Sequence, residues 1–212
     1  MTRERGRRLD AKRAFDLVVA ALVIVVTSPL LAAIAVAVRV DSRGPAMFRQ
    51  QRVGLNGEIF LIHKFRSMRV DQVGPLVSVA GDERVTRVGR PLRRSKLDEL
   101  PQVLDVLLGH MSLVGPRPEV PKYVAVWPEA ARQMILSVRP GITDPASIAL
   151  RDEDALLASA SDPERFYMDV LVPRKTAIYV RYVQSQSLVG DIRILLRTVG
   201  AVLRVGRGRA TV

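Results

Sequence analysis

From Leu17 to Val38 the chain reads LVVAALVIVVTSPLLAAIAVAV, an apolar run without a charged residue. As a straight helix its residues, about 22, would extend roughly 33 Å, enough to cross a bilayer. A cleaved leader is a poor alternative. The run is long and leads straight into Arg39-Val40-Asp41, with no small-residue cleavage pattern near its end. A simple span meets two difficulties. Thr27-Ser28-Pro29 sits near the middle, where Pro29 frees a backbone carbonyl one turn earlier that Ser28 or Thr27 can satisfy. Both flanks are also basic: Arg3, Arg5, Arg7, Arg8, Lys12 and Arg13 precede the run, and Arg39, Arg43, Arg49 and Arg52 follow it. The positive-inside rule then places both ends on the cytoplasmic side. A re-entrant hairpin with arms of about 10–12 residues, roughly 15–18 Å each, satisfies both facts. Proline is tolerated in membrane helices, so a kinked span stays open beside it.

The rest of the 212 residues suffices for one sizeable domain. With 33 Lys and Arg against 21 Asp and Glu, the net charge of +12 calls for an anionic partner: nucleic acid, a lipid surface or phosphorylated substrates. Aromatics make up only 5%, which disfavours single-strand binding by base stacking. No cysteine is present, so disulfides and thiolate zinc sites are excluded, and His63 and His110 form no metal motif. A metal here would be a hard cation on carboxylates and phosphates.

The chemistry concentrates in Arg93-Arg94-Ser95-Lys96-Leu97-Asp98-Glu99-Leu100-Pro101-Gln102. Leu97, Leu100, Val103, Leu104, Leu107 and Leu108 repeat at helical spacing, and Pro101 is tolerated only near a helix start. Asp98 and Glu99 then fall at or beside the N-terminus, where free N–H groups and the dipole favour negative charge. The preceding cations would keep a carboxylate ionised and hold an anion. On this segment alone, Asp98 as a cap and Glu99 as a first-turn acid is the commoner arrangement.

Around this stretch, residues 46–53 and 58–64 read as strands joined through Gly54-Leu55-Asn56-Gly57, a hairpin signal. A basic cluster, Lys64-Phe65-Arg66-Ser67-Met68-Arg69, follows, then a surface loop over 71–89. Gly109 reads as a helix stop. Two prolines fix the backbone of Arg117, whose planar fork suits phosphate. Residues 121–138 read as a helix interrupted at Trp127-Pro128, and 139–145 as a tight loop. Asp152 to Asp154 reads as an acidic surface patch. Asp162-Pro163-Glu164 reads as the cap of a helix that runs through Asp169 and stops before Pro173. Residues 174–205 carry apolar and basic positions at helical spacing that suit a core helix or an anionic membrane surface.

Taken in order, these segments resemble the bacterial sugar transferases, the monotopic phosphoglycosyl transferases that act on polyprenyl phosphate. The resemblance covers roughly 12–199. It rests on Lys12-Arg13-x-x-Asp16 before an apolar run with Ser28-Pro29, Gln51-Arg52-Val53-Gly54, Lys64-Phe65-Arg66-Ser67-Met68, Leu97-Asp98-Glu99-Leu100-Pro101-Gln102, Gly115-Pro116-Arg117-Pro118-Glu119 and Arg139-Pro140-Gly141-Ile142-Thr143. It implies transfer of a sugar-1-phosphate from a UDP-sugar to polyprenyl phosphate, with release of UMP. Mg²⁺ is the implied cofactor, on Asp98 and Glu99. Asp98 matches the nucleophile that would carry a phosphosugar, and Glu99 its partner acid. Lys64, Arg93 and Arg117 match phosphate-binding positions, with Arg66, Asp169, Asp191 and Thr143 in supporting places.

The resemblance also moves the N-terminal reading to the re-entrant hairpin, broken at Ser28 and Pro29. The implied fold is α+β and mainly helical: a membrane helix-break-helix over 1–40, a catalytic domain over 41–205 holding a small β-hairpin and amphipathic interface helices, and a basic tail over 206–212. The expected partners are a UDP-sugar, polyprenyl phosphate and membrane lipid, not nucleic acid, with homo-oligomer formation left open. The expected place is the cytoplasmic face of the inner membrane, in a short catalytic-only form. Asp144-Pro145-Ala146-Ser147 departs from the common family pattern and leaves donor contacts there undetermined. Two rival readings are a membrane-anchored binder of nucleic acid or anionic lipid, and a transferase whose carboxylates assist direct attack.

Overall fold

A computed structural model describes residues 2–70, 81–150 and 153–207. In chain order the elements are α1 (Thr2–Asp41), the strands β1 (Met47–Val53) and β2 (Ile59–Phe65), then α2 (Gly89–Ser95), a 3-10 turn (Leu97–Gln102), α3 (Val103–Leu107) and β3 (Ser112–Val114). There follow α4 (Pro121–Val124), α5 (Glu129–Leu136), β4 (Gly141–Thr143), α6 (Pro145–Ala149), α7 (Glu153–Ser159), α8 (Pro163–Phe166), a π turn (Tyr167–Leu171), α9 (Val172–Ser185) and α10 (Leu188–Arg207). The chain is mainly helical with a small antiparallel sheet and one long apolar N-terminal helix, as expected. Of the acidic patch at 152–154, Glu153 is half-buried and pairs with the buried Lys175 at 2.7 Å instead of facing solvent alone, while the tail beyond Arg207 and the loop stretch 71–80 lie outside the described residues.

Helix α1 stays helical through Pro29 instead of breaking there. Pro29 has no N–H for the carbonyl of Val25, and the hydroxyl of Ser28 takes that acceptor at 2.9 Å. Thr27 donates to the Val23 carbonyl at 2.7 Å. The side chains beside Pro29 thus supply donors where the ring removes one. Burial along α1 falls into two groups, Lys12, Asp16 and Ala20 before the proline and Ile34 and Val38 after it. Between them no residue from 21 to 33 is buried, and Leu22, Val25 and Val26 are more than half exposed.

The two groups dock on opposite ends of one strand. Ala20 packs with Phe60 and Ile62, whereas Ile34 and Val38 pack with Phe65 and Leu92. Polar contacts fix both ends. Lys12 reaches Asp191 at 2.6 Å and the Val114 carbonyl at 3.2 Å, Arg13 donates to the carbonyls of Met111 and Val106, and Asp16 accepts from the Ser112 hydroxyl at 2.7 Å. At the other end Arg66, 2% exposed, donates to the carbonyls of Val38, Ser42 and Arg43.

The expected hairpin is present, with Val53 paired to Ile59 and Met47 to Phe65. Asn56 and Gly57 take the positive φ values, 55° and 84°, that the turn needs. Three expectations give way. Gly141–Thr143, read as part of a loop, forms a parallel pair with Ser112–Val114. A Cβ on Gly141 would lie 2.1 Å from the Gly115 nitrogen, so glycine permits this approach. Second, the surface loop read over 71–89 ends before its last residue, because Gly89 opens α2, which carries much of the cationic run. Third, the helix begun at Asp162 does not stop before Pro173. Asp162 caps it by accepting from the Arg165 N–H at 3.0 Å, and a π turn then carries it into α9 with Pro173 in the first turn.

Candidate active site

Helix α2 ends at Lys96, a non-glycine residue in the left-handed region at φ 59°, ψ 15°. Such a conformation costs about 1–3 kcal/mol and persists where surrounding contacts enforce it. The sharp reversal starts the 3-10 turn at once, so that Asp98 and Glu99 occupy its first turn and face β2. The capping reading fails. No side-chain cap is made here, and the Oδ1 of Asp98 is buried without a hydrogen-bond partner among the described residues. A buried carboxylate oxygen left unpaired is costly and calls for a ligand or a reaction.

The two acids are placed in opposite electrostatic states. Arg117 grips Glu99 with both terminal nitrogens, Nη1 donating to Oε2 at 3.1 Å and Nη2 to Oε1. Burial alone would raise the Glu99 carboxyl, but the Arg117 charge and hydrogen bonds, with Lys64 and Lys96, hold it far below its usual range. For Asp98, burial and the neighbouring Glu99 charge push the carboxyl up, against the pull of Lys64, Lys96 and Arg93. The cationic neighbourhood is therefore present but does not outweigh desolvation. Lys64 interacts with both acids. Burial lowers its ammonium pKa, while Glu99 and Asp98 raise it.

The loop that presents Arg117 is strapped on two sides. Gly115 N–H donates to the Thr143 carbonyl at 3.1 Å and Gly141 N–H to the Pro116 carbonyl at 2.9 Å. From β1, Arg52 donates to the Pro118 carbonyl at 3.0 Å, and Val53 N–H to that of Glu119 at 2.9 Å. Glu119, buried, accepts from the Tyr167 hydroxyl and lies 3.7 Å from Arg52. Two prolines and this strapping make Arg117 a preorganised fork.

The structure thus joins Lys64, Arg93, Asp98, Glu99 and Arg117 in one place, and sets the other expected residues elsewhere. Arg66 clamps the end of α1, its hydrogen bonds going to the carbonyls there and, among the described residues, none to the acid pair. Asp169 is exposed and pairs with Arg165 one turn away, at 3.3 Å. Asp191 anchors Lys12 and accepts from the Tyr182 hydroxyl at 2.8 Å. Thr143 is buried and shares a 2.6 Å hydrogen bond with Thr198. Asp144, in the departing segment, caps α6 by accepting from the N–H and hydroxyl of Ser147.

One contributor was not singled out from sequence. Asp105, fully buried, takes the His63 N–H at 2.9 Å and the His63 ring Nδ1 at 2.7 Å, tying α3 to β2 beside Lys64. Only the pairing of β2 with its neighbours brings these residues together.

Among the described residues no group of three His, Cys, Asp or Glu is placed to enclose a metal. The unpartnered oxygen of Asp98 suits one bond to a Mg²⁺ that draws its other ligands from substrate phosphates and water, the usual habit of this ion. Both oxygens of Glu99 are held by Arg117.

An apolar helix docked on a basic domain, with a buried carboxylate oxygen unpartnered among cations, fits an enzyme class that is anchored to a membrane and handles phosphates. The chain belongs to the bacterial sugar transferase family, whose sequence profile matches residues 7–205. It is 43% identical over 198 residues to a UDP-glucose:undecaprenyl-phosphate glucose-1-phosphate transferase of Caulobacter vibrioides, covering 91% of this chain and 69% of that one. A protein of the same description from Escherichia coli K12 is 40% identical, with 89% of this chain and 39% of the other covered. The exopolysaccharide production protein PSS of Rhizobium leguminosarum bv. phaseoli is 37% identical, over 94% of this chain and 98% of its own length. The chain therefore spans well under half of the longer E. coli relative and nearly all of the Rhizobium one.

Proposed function

We propose that this enzyme transfers a sugar-1-phosphate from a UDP-sugar to undecaprenyl phosphate, giving undecaprenyl diphosphate-sugar and UMP, in the first membrane step of a polysaccharide. UDP-glucose is the first donor to test, because the relatives from Caulobacter and E. coli are described by it. The observation that carries the reading is the buried, unpaired Oδ1 of Asp98 beside a Glu99 already neutralised by Arg117.

In the proposed first step an oxygen of Asp98 attacks the β-phosphorus of the donor. The bond from that phosphorus to the bridging oxygen breaks, UMP leaves with the electron pair, and an acyl phosphate carries the sugar. In the second step a phosphate oxygen of the acceptor attacks the same phosphorus and Asp98 departs as carboxylate. Lys64, Arg93 and Arg117 offset the charge of the meeting anions. Glu99 keeps the Arg117 fork aimed at the site. The free oxygen of Asp98 would hold Mg²⁺, which when bound neutralises charge on the diphosphate.

The same reading makes α1 a re-entrant anchor with the catalytic domain on the cytoplasmic face. Its support is that both ends of the helix dock on one strand, with an exposed apolar middle between them. A crossing helix would carry one end about 30 Å away from the domain. The test is UMP release by the purified chain in membranes, with undecaprenyl phosphate and a panel of UDP-sugars. Release that depends on both substrates supports the proposal, and no release with any of the panel contradicts it.

A further inference from the structure

A cleft of about 160 Å³, lined by Asp41, Arg69, Thr86 and Arg87, lies where α1 ends. It takes no part in the chemistry above. Asp41 accepts the Val88 N–H at 2.9 Å, and that bond, with the Thr86 hydroxyl and the two arginines, holds its carboxyl below the usual range. The Thr86 oxygen in turn accepts the Gly89 N–H at 2.9 Å. Asp41 and Thr86 are thus engaged in joining the end of α1 to the start of α2. Arg69 and Arg87 are exposed, and among the described residues neither makes an ion pair with a carboxylate. Two arginines against one aspartate leave one positive charge on the lining.

Val40, next to Asp41 in the chain, is 82% exposed, and Val70, next to Arg69 in the chain, is 61% exposed. Guanidinium forks beside exposed aliphatic groups, at the end of an apolar helix, match an amphiphile with a phosphate head and a hydrocarbon body. Helix α2, seven residues and so about 10 Å long, separates Arg87 from Lys96 and the acid pair. A phosphate in the cleft is therefore not the one undergoing attack.

We propose that Arg69 and Arg87 form a second phosphate site that holds the head of a membrane lipid at the boundary, either a phospholipid or an acceptor lipid awaiting transfer. This rests on α1 being membrane-attached but not on a covalent step at Asp98.

The experiment uses the full chain in neutral detergent, wild type against Arg69→Gln/Arg87→Gln. Phosphatidylglycerol and, separately, phosphatidylcholine are titrated into the micelles and the lipid retained per chain is measured. KM for undecaprenyl phosphate and for the UDP-sugar is measured in parallel. The wild type should retain phosphatidylglycerol saturably and in preference to phosphatidylcholine. Each arginine removed should weaken retention about fivefold, the effect of one basic residue near an anionic lipid surface. Loss of retention with an unchanged acceptor KM assigns the site to phospholipid. A raised acceptor KM with an unchanged donor KM assigns it to the acceptor. Donor-only UMP release should stay intact in either case, which separates failure here from failure at Asp98. Arg69→Lys/Arg87→Lys should recover part of the retention, and Arg165→Gln, a surface charge elsewhere, should leave it unchanged. Wild-type retention and KM in the double variant, or an equal loss in Arg165→Gln, would overturn the proposal.

Discussion

Arg117 closes on Glu99 through both terminal nitrogens, and this pairing leaves Asp98 as the acid of the pair with an uncommitted oxygen. A guanidinium fork matches a carboxylate in a way an ammonium does not. Arg117→Ala should abolish transfer and, by leaving a buried carboxylate unpaired, destabilise the domain by about 3–5 kcal/mol. Arg117→Lys should fold better yet remain impaired in transfer. Thermal melting alongside UMP release separates the two effects; full activity in Arg117→Lys would return this residue to a surface role.

The Glu99 pairing also sets a stability window. Its folded pKa is depressed, so the stabilisation is fully present above the unfolded carboxyl value of about 4.3 and is lost as pH falls toward the folded one. Acid unfolding of the wild type should therefore be steep below about pH 4, and shallower in Glu99→Gln.

The Asp98 carboxyl is raised by burial and Glu99 and lowered by Lys64. The proposed attack needs it ionised, so the acid limb of donor-only UMP release should lie above the usual carboxylate value of about 4. Lys64→Met removes a charge that lowers it, and should move that limb to higher pH while slowing release. A limb that stays in place would show that Lys64 does not act on Asp98.

The N-terminal motif serves docking. Lys12 and Asp191 meet at 2.6 Å, both largely buried, while Asp16 holds Ser112. Removing one partner leaves the other uncompensated, so Asp191→Ala should cost about 3–5 kcal/mol, and Lys12→Met/Asp191→Leu should recover most of it. Limited proteolysis of α1 in each variant reads the docking. Similar losses in single and double variants would show that the pair is not coupled.

The proposed re-entrant topology has its own test. The chain lacks cysteine, so Arg5→Cys and Arg43→Cys can be labelled singly. Both should react with an impermeant reagent from the cytoplasmic side only. Reaction from opposite sides would establish a span. Ser28→Ala/Pro29→Ala restores the missing N–H and removes the Ser28 donor, and should push the segment toward that span.

How far these relationships could be read in advance depended on their distance along the chain. The β-hairpin was legible because Asn56-Gly57 marks a turn locally, and the acid-pair turn because Pro101 tolerates only a helix start. The parallel pairing of Ser112–Val114 with Gly141–Thr143 involves three-residue strands far apart in sequence, too short for a period to show. Arg66 read as one more cation of a phosphate cluster, because only the folded chain brings the last carbonyls of α1 to it. Asp105 stood among core positions of a helix, and its His63 partner lies 42 residues away. Residue type identified the acids and cations. Which cation compensates which acid is a tertiary fact.

The most direct test of the central claim is intact mass after exposure to the donor alone. The purified wild type, incubated with a UDP-sugar that it turns over and with no undecaprenyl phosphate, should gain the mass of one phosphosugar and release an equal amount of UMP. Asp98→Asn, which keeps the shape but loses the charge, should do neither. An enzyme that turns over with both substrates yet shows neither adduct nor stoichiometric UMP with the donor alone, under rapid quench, would contradict a covalent role for Asp98 and leave direct attack assisted by the carboxylates.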